Sequence, residues 1–122
     1  MSHHAAMRPT VTFFGNLTSE APIPARGILS QTLSNEGGIE LALFAFAAGE
    51  ALSEHTSARP AIVHVLSGEG DLVVAGESHA AIPGTWLRMP PDTRHSILAR
   101  TPLVMALNLL PREGFPVRKQ GR

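Results

Sequence analysis

Apolar positions along the chain fall in short blocks with turn-forming residues between them. Ile28–Leu33, Ile39–Ala47, Ala61–Leu66, Asp71–Ala75, Ser78–Ile82, Thr85–Met89, His95–Arg100 and Leu103–Leu110 each read as a strand. Val11–Phe14 is a shorter β-prone run ahead of them. The separators are Asn35-Glu-Gly-Gly38, Ala48–Ala51 with Gly49, Ser67-Gly-Glu-Gly70, Gly76-Glu77, Pro83-Gly84 and Pro90-Pro-Asp-Thr93. Their glycines supply the positive φ that hairpin turns require. Short strands with turns at this regular spacing predict an all-β sandwich or barrel. No segment carries a long helical apolar period with caps. Ile23–Leu33 comes nearest, and Pro22, Pro24 and Gly27 count against a helix there.

Length then bounds the architecture. The 122 residues amount to one domain. The expected division is an irregular N-terminal arm over 1–26, a barrel over 27–111 and a basic tail over 112–122. Small barrels and sandwiches must manage their open edges, so a homodimer is expected, paired through an outer sheet or through an exchanged N-terminal strand for which Val11–Phe14 is the candidate. Ten basic residues balance ten acidic ones. That balance argues against a nucleic-acid or anionic-membrane partner. The absence of cysteine excludes disulfides, thiolate metal sites and cysteine nucleophiles. The longest apolar run, Leu41–Ala48, falls far short of the ~20 residues of a membrane helix. No apolar segment of signal-peptide type follows Met1–Arg8, so a cytoplasmic protein is expected.

Candidate chemistry rests on histidine placement. Phosphate-loop, nucleophile-elbow and H-E-x-x-H patterns are missing. His55 stands six residues after Gly49 and thirteen before Gly68. Pro90 stands six residues after Gly84, and His95 five residues after Pro90. A fifteen-residue segment, enough for one hairpin, separates the two blocks.

This arrangement resembles the cupin superfamily. Gly49, His55 and Gly68 match its first motif, and Gly84, Pro90 and His95 match its second, over roughly Gly27 to Leu110. The resemblance implies a single cupin-type β-barrel, a double-stranded β-helix or jelly roll, with the histidines at its mouth. It implies a small-molecule ligand. In metal-binding cupins three histidines and a glutamate hold the ion. Here Ser57 occupies the second histidine position and Ala61 the glutamate position. Asp92 replaces a motif glycine, and Ala99 replaces the asparagine. His55 and His95 are therefore candidate metal ligands, for zinc, nickel or iron at low occupancy, and equally candidates for a metal-free cavity wall. The alternative to a binding protein is a metal-dependent enzyme of dioxygenase, isomerase or decarboxylase type.

Other residues are weighed beside that pair. Ser57 and Asn108 are further ligand-binding candidates, Asn108 being the single polar residue of an apolar strand. Alternation from Ala61 predicts that His64 points away from the cavity. His79 belongs to a hairpin, and a surface role is expected of it. Glu50, Glu54 and Asp92 are either substitute ligands or solvated loop carboxylates. Arg59 and Arg94 are either oxyanion-binding or solvated. Phe44, Phe46, Trp86, Met89 and Met105 are expected in the core, some of them at a pocket mouth. His3 and His4 read as mobile terminal residues rather than a metal pair.

Overall fold

The computed structural model describes residues 10–112. Nine antiparallel strands form two sheets. They are β1 (Ile28–Glu36), β2 (Ile39–Phe46), β3 (Ala51–His55), β4 (Ala61–Ser67), β5 (Gly70–Val74), β6 (Glu77–Ala81), β7 (Trp86–Met89), β8 (His95–Ala99) and β9 (Leu103–Leu109). One sheet has the order β1-β2-β9-β4-β7 and the other β3-β8-β5-β6. Such double-sheet packing is the jelly-roll solution to exposed strand edges. The eight strands expected from Ile28 onward all form. β3 is an addition, because Ala51–His55 carries one leucine among small and polar residues and shows no strand pattern. Val11–Phe14 forms no strand, and Val11 and Phe13 are 80% and 82% exposed.

Alternation assigns the faces. Phe46, Val63, Val65, Leu72, Ile97, Leu103 and Met105 point between the sheets and make the main core. Leu43, Ala45, Val104 and Ala106 point outward from the five-stranded sheet. They are nonetheless buried, because the N-terminal arm crosses that face. Its 3₁₀ turn Leu17–Glu20 begins at Asn16, whose side-chain oxygen accepts from Thr18 N–H. Leu17 and Ala21 then pack on the outer cluster. β2 and β9 are thus apolar on both faces, which explains the uninterrupted run Leu41–Ala48.

Two turns depend on glycine. Gly37 and Gly38 have φ of +63° and +80° and close the two-residue β1–β2 hairpin. Gly68 has φ +85°, and a Cβ there would sit 2.0 Å from the Pro102 carbonyl oxygen. The close approach lets the β4–β5 connection lie against the start of β9.

Candidate functional site

His55 and His95 stand directly opposite each other across the β3–β8 pair. Opposed residues of antiparallel strands present their side chains on the same face. The ring centroids are 4.2 Å apart and the planes are inclined by 58°. This meeting depends on a bulge. Leu52 pairs with Ile97 and His55 with His95, so three steps along β3 match two along β8. In a regular strand a residue three positions from Leu52 would face the other side. The extra residue returns His55 to the inner face.

Both rings are tied by the same short-range bond. His55 Nδ1 lies 2.8 Å from the Ser53 carbonyl oxygen, and His95 Nδ1 lies 2.9 Å from that of Thr93. A carbonyl only accepts, so each Nδ1 carries the hydrogen and donates it. In the neutral ring Nε2 is then a bare acceptor. A second partner of this kind fixes the orientation of a ligating histidine.

The pair stands at the mouth of a cavity of about 40 Å³ between the sheets. At roughly 10–15 Å³ per molecule, that volume holds about three waters. Its walls are Phe44, Leu52, Val63, Leu72, Ile97, Met105 and Leu107, drawn from both sheets. His55 is exposed and His95 half-buried, so the polar groups sit at the opening and the interior is apolar.

The other two ligand positions do not contribute. Ser57 Oγ accepts from Arg59 N–H at 3.1 Å, and the Ser57 carbonyl accepts from Asp92 N–H at 2.7 Å. Ser57 is thus occupied in holding its own loop and does not line the cavity. Ala61 is buried and carries no ligating atom. Among the described residues no cluster of three or more His, Asp or Glu groups could hold a metal. The donor set therefore does not fit the three-histidine, one-glutamate centre of metal-binding cupins. It offers two imidazole nitrogens.

Several sequence candidates lie elsewhere. Asn108 does not reach the cavity. Its register partners are Leu41 and Ile62, and with them it lies on the outer face, while Met105 and Leu107 point inward. His64 is on that outer face too, opposite Trp86 and Ala106. Trp86 is 59% exposed and is no part of the core. Arg59 binds the carbonyls of Gly38, Leu109 and Leu110 and approaches Glu40 at 3.5 Å. It fastens the β1–β2 turn to the end of β9, half-buried, with its guanidinium engaged by these acceptors. Glu50 accepts from Gly27 N–H. Glu54, Asp92 and Arg94 border a separate open hollow beside the mouth. His79 lies on β6 within 4.0 Å of Glu77. His3 and His4, and the tail from residue 113, lie outside the described residues.

Sequence reasoning missed the walls Leu52, Val63, Leu72, Ile97 and Leu107. Their signal is the two-residue alternation counted outward from Phe44 and Met105.

The profile of the cupin domain family matches residues 42–109, more than half of the chain. No curated protein matches the sequence. Among solved structures, a conserved protein of unknown function from Streptococcus pyogenes is 24% identical, with TM-score 0.73 and coverage of 84% of this chain and 90% of that one. A cupin superfamily protein from Desulfitobacterium hafniense is 23% identical, with TM-score 0.73 and coverage of 84% and 94%. KdgF from a Halomonas species is 25% identical, with TM-score 0.68 and coverage of 85% and 97%. These similarities concern the fold.

Proposed function

The chain belongs to the cupin family, and from that premise we propose that it binds a small organic molecule in the barrel cavity, against His55 and His95. The observation that carries this reading is the opposed imidazole pair over an apolar interior, each ring oriented by its own main-chain carbonyl. Such sites, mostly apolar with a few placed polar groups, are where small barrels take ligands. A fragment panel screened by ligand-observed NMR tests the proposal. Fragments that bind the parent should lose most of their signal change with His55→Ala. A variant that binds every hit as well as the parent contradicts the cavity assignment.

The same pair is proposed to hold zinc, nickel or iron weakly. Two neutral imidazoles bring no charge to offset the ion and fewer than the three protein ligands usual at catalytic zinc. Elemental analysis after loading should find less than one metal per chain, removed by dialysis against a chelator. Stoichiometric metal that survives that dialysis would mean that another residue completes the site.

Two copies are further proposed to pair over the outer face of the five-stranded sheet. Ile39 and Trp86 are 44% and 59% exposed there. The arm places Thr12 in hydrogen-bond contact with Glu36, the register partner of Ile39, and leaves Val11 and Phe13 uncovered beside it. A second copy would cover this apolar surface.

A further inference from the structure

We infer that the occupant of the His55–His95 site is a small uncharged molecule with an apolar body and a hydroxyl head, of the small-alcohol class. This deepens the small-molecule reading and rests on it. Three observations lead to it.

The first is what the walls lack. Apart from the two imidazoles, every wall residue is apolar. There is no arginine, lysine, carboxylate or amide to meet a phosphate, a carboxylate or several hydroxyls. A sugar would surrender hydrogen bonds to water and recover few, and an anion would enter without a counter-charge. Arg94, next to His95 along the chain, borders the separate hollow and not this cavity, and Arg59 is already bonded to three main-chain carbonyls.

The second is the direction of the available hydrogen bonds. With both Nδ1 hydrogens given to carbonyls, the neutral pair presents acceptors alone. Among the described residues, neither Nε2 has a protein donor within reach. A ligand head must therefore donate, as a hydroxyl does and a carboxylate or ketone does not.

The third is the unequal exposure of the pair. His55 is exposed, so water satisfies its Nε2, whereas His95 is half-buried beside Val74 and Ile97. One donor, directed at His95, completes the site. The cavity, at about 40 Å³, takes only a small apolar group behind that head.

The test uses the full chain, with the His55 and His95 ring signals followed by ¹H–¹³C NMR. Ethanol, acetate and acetone, matched in size to the cavity, are titrated in turn at alkaline pH. Ethanol should shift both sets of ring signals, and acetate and acetone should bind at least about tenfold more weakly. His95→Leu, which removes the acceptor and keeps the bulk, should weaken ethanol by about fivefold, the worth of one hydrogen bond. His95→Gln places an amide oxygen near the position of Nε2 and should stay within about twofold of the parent. Acetate or acetone shifting the rings as strongly as ethanol would overturn the ligand class while leaving the cavity reading intact. Equal ethanol binding by His95→Leu and the parent would also overturn it. If no probe moves either ring, both the class and the cavity reading fall.

Discussion

Single residues decide whether the motif positions serve chemistry or backbone geometry. Gly68 and Asp92 both serve the backbone. Alanine at 68 would combine a left-handed φ with a contact of 2.0 Å to a carbonyl oxygen. Gly68→Ala should cost about 3 kcal/mol and lower the melting temperature by roughly 10 °C in calorimetry. Asp92 stands where the motif has glycine, and its φ is +62°. Aspartate tolerates that region and valine does not. Asp92→Gly should therefore leave the melting temperature nearly unchanged, and Asp92→Val should lower it, by about 1–2 kcal/mol of stability. Equal melting temperatures for the two variants would contradict this account. A proton and a metal compete for the same imidazole nitrogen, so zinc held by the proposed His55–His95 pair should be released as acid is added.

The strands show how much was legible and why the rest was not. Eight of the strands announced themselves through β-rich blocks between glycine or proline turns. The spacing of Gly49, His55, Gly84 and His95 also singled out the two histidines that the fold brings face to face. β3 stayed hidden, because Ala-Leu-Ser-Glu-His has one large apolar residue and borrows its structure from β8. The bulge was hidden for a related reason. A bulge is a mismatch between two strands, and no single strand records its partner's count. Asn108 is different. Alternation from Met105 and Leu107 already places it outside, so that signal was present in the sequence and its polarity outweighed it. Trp86, expected in the core, is exposed, because aromatic character says nothing about which face a neighbour covers. The bulge yields its own prediction. Deleting Glu54 removes the extra residue and leaves His55 two positions after Leu52, so regular alternation alone holds it on the inner face. The nuclear Overhauser contact between the two imidazoles should therefore persist, as should the Ile97-to-Leu72 contact. Loss of the imidazole contact on deletion would show that strand register does not aim the ring.

At the scale of the molecule, the two faces of the five-stranded sheet have different tasks. The inner face closes a dry core and the cavity. The outer face is covered in its middle by Leu17 and Ala21 and left apolar at Ile39, Trp86 and the arm. Among the described residues no helix is long and apolar enough to cross a membrane. Sedimentation at micromolar concentration should give twice the 13.0 kDa chain mass. Phe13→Asp should shift that equilibrium toward the single chain without loss of the core. A parent that sediments as one chain would contradict the pairing.

The proposed site rests on one arrangement, two imidazoles whose Nδ1 hydrogens are given to main-chain carbonyls and whose Nε2 atoms stand bare at the cavity mouth. Long-range ¹H–¹⁵N correlation spectra of the histidine rings, recorded at alkaline pH, report that arrangement directly. His55 and His95 should both show a protonated Nδ1 and an unprotonated Nε2, and added zinc should shift both Nε2 signals. Protonated Nε2 on either ring in that spectrum, with Nδ1 bare, would contradict the site as described.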